Sequence, residues 1–140
     1  MQSAVCKFSI APNNPVNPCS GANPSALDYS NLNSQGQTAQ QHILQNHTGS
    51  GKGPSIYQGD WFSIQTLNGS TLMYGYPAPA NRQSPGSVTL QWDAQSMVPF
   101  PLNLVPWYIG TDQNGNPTST NRLVVLSNCK TVVTSYPVAP

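Results

Sequence analysis

The chain has 140 residues, the usual size of one domain, and only 6% of them are charged. The formal net charge is +1, so no strong electrostatic field steers the protein toward nucleic acid or an anionic membrane surface. This balance weighs against a protein that coats DNA or RNA through a basic surface, but it allows an enzyme with a small phosphate site. No apolar stretch approaches the roughly 18 residues of a membrane span, and we expect no such span.

The acidic residues and cysteines do not form the pattern of a metal centre. The chain has no glutamate and only four separated aspartates, so we expect neither a two-carboxylate hydrolase nor a carboxylate metal site. No Cys and His spacing matches a zinc site, and we expect no cofactor. For Cys6, Cys19 and Cys129, one disulfide with a free thiol fits as well as three thiols.

The one convincing helical window lies in the first third of the chain. Residues 1–36 are rich in Asn, Pro and Ser, which is typical of an extended lead-in with turns, and only residues 5–10 favour a short strand. Residues 38–47 favour a helix, with Thr38 as its N-cap and Gly49 just beyond its end. The apolar stripe of this helix is narrow, so we expect the helix to lean on a sheet.

From residue 61 onward the sequence favours strands. Residues 61–67 fit either a strand or a short amphipathic helix. Runs of strand-forming residues follow at residues 71–76, 87–92, 104–110, 122–126 and 130–135. The last two runs are the clearest, and a tight turn joins them as a hairpin. The pattern predicts one α+β domain over residues 1–140, with an N-terminal helical part packed on a twisted antiparallel sheet. The recurrence of KFSI, WFSI and PWYI keeps an all-β trefoil, or a sandwich, as the alternative.

The chain contains two histidines, His42 and His47, which stand five positions apart. On an ideal helix that spacing leaves the two side chains about 140° apart, on different faces. They can serve one site only if His47 lies at or beyond the end of the helix, and the Gly-rich run after it favours such an end. A histidine at a helix C-terminus is stabilised in its charged form, which favours a proton donor there. Two unrelated surface residues are the alternative on spacing alone.

Two stretches carry a resemblance to a known family. HILQNH is followed by a Gly-rich turn with Lys52, and far downstream come YIGT, a Thr/Ser cluster, the run RLVVL and a closing TSYP. In this order they resemble the C-terminal toxin domains of bacterial contact-dependent growth inhibition and other polymorphic toxins, mostly RNases of the barnase, EndoU, colicin and RelE-like group. The resemblance covers residues 40–56 and 107–138, while residues 62–106 match nothing in it. The chain departs from the family pattern at Ser135, where alanine is usual, and in its few basic residues.

The resemblance implies a metal-independent endoribonuclease toxin, a hydrolase that cleaves RNA by attack of the 2′-hydroxyl. This reaction needs a base, an acid and donors for the charged phosphorane. The residues implied as catalytic are His42, His47, Thr134 and Tyr136. The residues implied as substrate-binding are Lys52, Thr120 and Arg122. The histidines would transfer protons, the cations would hold the phosphate, the threonine hydroxyls would donate to its oxygens, and the tyrosine would stack on a base or donate a hydrogen bond.

The same resemblance implies partners and a place of action. The substrate is RNA, with tRNA as the candidate, and a cognate immunity protein neutralises the toxin in the cell that makes it. The domain is expected as a monomer or as a 1:1 complex with that protein. It would be secreted or delivered as the C-terminal part of a larger toxin and would act in the cytoplasm of the target bacterium.

Other classes of function fit parts of the sequence. The low charge, the abundance of Asn, Gln, Ser and Thr, and the three tryptophans favour a non-enzymatic carbohydrate-binding or inhibitor module of trefoil or sandwich type. A structural surface protein with Pro- and Asn-rich edges is a third class. For single residues, Thr134 and Tyr136 also fit an ordinary pair at a sheet edge, and Arg122 also fits a surface salt link.

Overall fold

The computed structural model of the protein describes residues 16–49 and 54–140, and these residues form a mixed α+β fold. The helices of the described residues are α1 (Ala39–Asn46) and α2 (Trp61–Tyr74). The strands are β1 (Ile56–Tyr57), β2 (Tyr76–Pro77), β3 (Ser87–Asp93), β4 (Gly110–Thr111), β5 (Pro117–Thr118), β6 (Thr120–Leu126) and β7 (Val132–Val138). Two antiparallel sheets result, with orders β1-β4-β5 and β2-β3-β6-β7. The predicted α+β class is confirmed. The fold contains two α-helices and neither sheet closes into a barrel, so the all-β trefoil or sandwich alternative is wrong. The strand expected at residues 5–10 lies outside the described residues.

The first helix begins and ends where local signals predict. Thr38 and Gln41 form a capping box, in which Gln41 N donates to Thr38 Oγ1 at 3.1 Å and Thr38 N donates to Gln41 Oε1 at 2.8 Å. The helix ends at His47, whose φ of −128° and ψ of 22° are not helical. Its narrow apolar face buries Ala39 and Ile43 against the sheet. The helix therefore holds both histidines at the edge of β7.

The second helix replaces two predicted elements. Residues 61–67 are helical, which resolves that ambiguity, and the strand expected at residues 71–76 is wrong because residues 71–74 form the last turn of α2. Thr71 tolerates the helix because its Oγ1 donates to the Leu67 carbonyl at 2.7 Å. A Cβ at Gly75 would overlap the Thr71 and Gln91 carbonyl oxygens, so only glycine allows the helix to end this close to β3.

The four-stranded sheet packs one face on the helices and leaves the other for polar side chains. The strands expected at residues 87–92 and 122–126 are confirmed and somewhat longer. The strand expected at residues 130–135 is confirmed but runs over Val132–Val138, and β6 and β7 form the expected hairpin. Inward-facing Leu90, Leu123, Val125 and Val132 meet Ile43, Ile64 and Leu72 in the core. On the opposite face Arg122 lies between Gln91 of β3 and Tyr136 of β7 in register. The sheet thus places these three side chains in one row.

The strand expected at residues 104–110 is largely absent, since only Gly110–Thr111 pairs as β4. Prolines at positions 99, 101 and 106 remove backbone donors from this loop. The Gln95 side chain partly replaces the missing ladder: its Nε2 donates to the Asn103 and Val105 carbonyls at 3.2 and 3.3 Å, and its Oε1 accepts from Trp107 N at 2.8 Å. None of the helices in the described segments is long and apolar enough to cross a membrane.

A disulfide resolves the question that the three cysteines left open. Cys19 and Cys129 are bonded, with a Cα–Cα distance of 5.5 Å and a sequence separation of 110. The bond ties the described part of the lead-in to the turn between β6 and β7, where Asp28 also bridges to Thr131. Cys6 lies outside the described residues. The lead-in is therefore anchored to the hairpin that carries Arg122 and Tyr136.

A buried polar network joins α2 to the same hairpin. Asn121 Nδ2 donates to Asn68 Oδ1 at 3.0 Å and to Thr71 Oγ1 at 2.9 Å, and Asn121 Oδ1 accepts from the Tyr57 hydroxyl. Asn68 Nδ2 in turn donates to Ser135 Oγ at 2.9 Å. Burial raises the pKa of Tyr57 far above its usual range, so the phenol remains a hydrogen-bond donor. Asn121 and Ser135 directly precede Arg122 and Tyr136, so the network holds both strands in place beneath the polar row.

Replacing Asn121 with leucine, which is similar in size, is expected to lower the free energy of unfolding by about 3 kcal/mol. The substitution leaves the Tyr57 hydroxyl and the Asn68 carbonyl oxygen buried without the partner they have in the native protein. Urea unfolding followed by circular dichroism measures the change. The matched control is Asn31→Leu at an exposed position, expected to stay within about 0.5 kcal/mol. A loss below about 1 kcal/mol for Asn121→Leu would contradict the role of this network.

Candidate active site

Gln91, Arg122 and Tyr136, the row of polar side chains on the sheet, line a cleft of about 690 Å³. We call it the histidine–arginine cleft. Its lining residues are His47, Pro54, Ser55, Pro79, Asn81, Arg82, Gln91, Gln113, Arg122, Tyr136, Val138, Ala139 and Pro140. None of these described residues carries a carboxylate side chain, whereas two carry a guanidinium group and one an imidazole. The cleft therefore favours an anionic ligand.

The side chains of all four aspartates accept hydrogen bonds from backbone N–H groups outside this cleft. Asp28, Asp93 and Asp112 each accept from the N–H two residues ahead at 2.9 Å, and Asp60 caps α2 by accepting from the N–H three residues ahead at 2.9 Å. These turns and caps use the carboxylates locally. In residues 16–49 and 54–140 no group of three or more His, Cys, Asp or Glu side chains lies together in a way that could hold a metal ion.

The two histidine rings lie close together because α1 ends at Asn46, directly before His47. Their ring centroids are 5.4 Å apart, edge to face, at an interplanar angle of 70°. On a continuous helix the rings would point about 140° apart. The non-helical backbone of His47 turns its ring back toward His42. The geometric condition for a shared site is thus met.

His47 is held as a neutral imidazole with a defined free nitrogen. Its Nδ1 lies 2.9 Å from the Ser55 carbonyl oxygen, which can only accept, so Nδ1 carries the proton and Nε2 keeps a lone pair. Burial lowers the pKa of His47 below its usual 6.5, and the nearby His42 charge adds to this, although the bond to Ser55 acts in the opposite direction. Burial of the ring therefore favours the neutral form, whereas the helix end was expected to favour the charged form. His47 is suited to accept a proton at neutral pH.

The acceptor for His47 sits on an unusual backbone. Ser55 has a φ of 65°, in the left-handed region that residues other than glycine seldom adopt, and it is 5% exposed. This conformation turns its carbonyl toward the imidazole. Strained positions of this kind are concentrated at functional sites.

His42 has the complementary arrangement of nitrogens. Asn46 Nδ2 donates to the His42 carbonyl oxygen at 3.1 Å, which fixes the orientation of the amide. The same Nδ2 lies 3.1 Å from His42 Nδ1, so Nδ1 accepts and Nε2 is the protonated nitrogen of the neutral ring. In these neutral tautomers His47 offers a nitrogen lone pair that can accept a proton, and His42 offers an N–H that can donate a hydrogen bond.

Tyr136 and Arg122 complete the cluster beside His47. The Tyr136 ring stacks on His47 with centroids 5.2 Å apart and an interplanar angle of 27°, and the Arg122 guanidinium lies 5.8 Å from the Tyr136 centroid. Arg122 Nε and Nη2 both donate to Gln91 Oε1, at 3.2 and 2.5 Å. This partner is a neutral amide rather than the carboxylate of a surface salt link, so no neighbouring negative charge offsets that of the guanidinium. The Tyr136 face that stacks on His47 is not available to a nucleobase, and the ring instead supports the imidazole.

Of the other predicted residues, neither His42 nor the two threonines line the cleft. Thr120 is 1% exposed and does not line it, although it lies on β6 two residues before Arg122. Thr134 lies on β7 two residues before Tyr136, and its Oγ1 is buried with no hydrogen-bond partner among the described residues. Lys52 lies outside the described residues.

Sequence reasoning missed four groups that the structure places at the site. Asn46 orients His42, the Ser55 carbonyl orients His47, Gln91 binds Arg122, and Arg82 lines the cleft. The position of Asn46 four residues after His42 was a usable signal, since such pairs are neighbours on a helix. The other three reach the site through strand register or loop docking, for which the local sequence carries no signal.

Comparisons of this chain with protein-family models, with curated proteins and with solved structures found no match. The case for a function therefore depends on the chemistry of the cleft.

Proposed function

We propose that the protein is a metal-independent endoribonuclease of the toxin type, which cleaves RNA through attack of the 2′-hydroxyl on the adjacent phosphate. The observation that carries the proposal is the pair His42 and His47. Their ring centroids lie 5.4 Å apart, and His47 lines, together with Arg122, a cleft whose described lining residues carry no carboxylate side chain. The order of the His-bearing helix, the Arg122 strand and the closing TSYP segment, as in the toxin RNases that the sequence resembles, supports the same class.

The residues divide the proton transfers between them. His47 Nε2 takes the proton from the 2′-hydroxyl, and the 2′-oxygen forms a bond to phosphorus. Arg122 donates to the phosphate oxygens as negative charge develops on them. His42, as an imidazolium ion, gives its Nε2 proton to the 5′-oxygen while the bond from phosphorus to that oxygen breaks. For Nδ1 of His42 to carry a proton, the Asn46 amide must turn so that its oxygen faces the ring. The products are a 2′,3′-cyclic phosphate and a 5′-hydroxyl.

The biological setting belongs to the same proposal. The substrate class is RNA, with tRNA as the first candidate, and a cognate immunity protein would bind the domain and cover the cleft. The domain would reach the cytoplasm of a target bacterium as the C-terminal part of a larger secreted toxin. The resemblance of HILQNH and TSYP to such toxins supports this setting.

The proposal is tested by incubating the purified protein with total bacterial RNA in EDTA. We expect cleavage to products that end in a 2′,3′-cyclic phosphate, identified by mass spectrometry, and no cleavage by the double variant His42→Ala, His47→Ala. Inert wild-type protein, or equal cleavage by wild type and double variant, would contradict it. Saturable binding on a glycan array together with inert wild type would instead favour the carbohydrate-binding module.

A further inference from the structure

The described residues contain three cationic side chains, Arg82, Arg122 and Lys130, and two of them line the histidine–arginine cleft. We propose that Arg82 binds a second backbone phosphate, so that the cleft holds a single-stranded polynucleotide across at least two consecutive phosphates. The first phosphate, at Arg122 and the histidines, is the one that is cleaved. This inference rests on the proposed function. It adds that a second phosphate of the RNA substrate is bound next to the one that is cleaved.

The loop that carries Arg82 is firmly built. Gln83, the next residue, uses its side-chain amide three times: Nε2 donates to the Ala78 and Thr89 carbonyls at 3.0 and 2.8 Å, and Oε1 accepts from Thr89 N at 2.9 Å. Arg82 N also donates to the Pro79 carbonyl at 2.8 Å, which closes the turn. The backbone that carries the exposed Arg82 is thus held in place at the rim of the cleft, and a pre-ordered backbone reduces the entropy lost on binding.

Both arginines are positioned by the same strand. Thr89, which holds the Arg82 loop, and Gln91, which binds Arg122, are two residues apart on β3 and face the same side of the sheet. The backbone that carries Arg82 and the guanidinium group of Arg122 are therefore both tied to one short segment of β3. Two guanidinium groups that line one cleft can bind two phosphates of one polynucleotide, whereas a single free phosphate needs only one of them.

The surroundings of Arg82 agree with a nucleotide ligand. Asn81 and Gln113 line the same cleft and offer amide groups that can hydrogen bond to base edges or ribose hydroxyls. No aspartate of the described residues lines the cleft beside Arg82, so its charge is available to the ligand. In a chain with a net charge of +1, two arginines in one cleft supply the phosphate contacts that a basic surface supplies in other RNA-binding proteins.

The test measures binding, separately from cleavage, with a fluorescently labelled hexanucleotide whose 2′-hydroxyl groups are replaced by 2′-O-methyl. Such an oligonucleotide cannot be cleaved by 2′-hydroxyl attack. For Arg82→Gln we expect about tenfold weaker binding and a salt dependence, the slope of log K against log salt, that is reduced by about 0.7. Arg82→Lys should keep the slope, because it keeps the charge. Lys130→Gln, which removes an exposed cation outside the cleft, should change neither quantity.

The outcomes separate this inference from the function on which it rests. If Arg122→Gln weakens binding and lowers the slope while Arg82→Gln behaves like Lys130→Gln, a phosphate contact at Arg82 is overturned and the one-phosphate site remains. If wild-type protein binds no oligonucleotide and cleaves no RNA, both the proposed function and the second phosphate site are contradicted. Because Arg82 is exposed, its substitution should leave the unfolding midpoint unchanged, which a thermal melt checks.

Discussion

Replacing His47 with alanine is expected to lower kcat/KM for RNA cleavage by about 10²- to 10⁴-fold, the usual contribution of a positioned general base. The reason is that its Nε2 lone pair, set by the Ser55 carbonyl on Nδ1, is the acceptor for the 2′-hydroxyl proton. Initial rates with a fluorogenic RNA substrate measure the loss. Gln45→Ala, at an exposed position on the same helix, is the matched control and should cleave at the wild-type rate.

The pH profile gives this prediction a second readout. Burial lowers the pKa of His47 below 6.5, so the base stays neutral and active somewhat below that pH, and kcat/KM falls only at lower pH as His47 becomes protonated. His47→Ala should lose this acidic limb. A limb that persists unchanged in the variant would show that another group is the base.

The leaving group distinguishes the two histidines. Uridine 3′-(p-nitrophenyl phosphate) releases p-nitrophenolate, which leaves without needing a proton. His42→Ala should therefore be far less impaired on this substrate than on RNA, whereas His47→Ala should be impaired on both. The reverse pattern would exchange the assigned acid and base. Equal impairment on both substrates would mean that His42 does not protonate the leaving group.

Reduction of the Cys19–Cys129 disulfide is expected to lower the free energy of unfolding by about 4–5 kcal/mol in the chain-entropy model. The bond closes a loop over a sequence separation of 110 residues, so its loss frees most of the unfolded chain. This is a large share of the roughly 5–15 kcal/mol that stabilises an ordinary domain. Urea unfolding with and without a phosphine reductant measures the difference.

The double variant Cys19→Ala, Cys129→Ala provides the control for that measurement. Its stability should be insensitive to the reductant and close to that of the reduced wild type. If reduction changes the wild type by less than about 1 kcal/mol, the lead-in contributes little to the fold through this bond. If the double variant also responds to reductant, another cysteine is involved.

Elements defined by neighbouring residues were predictable from the sequence. The capping box of Thr38 and Gln41 and the Gly-rich run after His47 bound α1 through contacts within a few positions. The hairpin of β6 and β7 was likewise recognisable from strand-forming runs and a short turn. The predicted strand at residues 71–76 failed because burial of Leu72 against the sheet, with Thr71 in the polar network, outweighed the strand propensity of this run.

The sequence likewise predicted some features of the candidate site and not others. The sequence identified His42 and His47 as candidates, and their spacing requires that His47 lie at or beyond the helix end if they share a site. The end of α1 meets this condition. The ionisation state of His47 could not be read from the sequence. Local reasoning about a helix C-terminus favours a charged ring, but the burial that lowers its pKa comes from the packing of distant segments around it.

The sequence alone therefore determined the fold class, the bounds of α1 and the closing hairpin, because short-range hydrogen bonds and side-chain periodicity are encoded by adjacent residues. Only the tertiary structure decided that Gln91 lies beside Arg122, that Tyr136 stacks on His47, and that Arg82 enters the same cleft. Those contacts join segments tens of residues apart. They depend on strand register and on a buried network around Asn121, and so they exist only when the whole core is assembled.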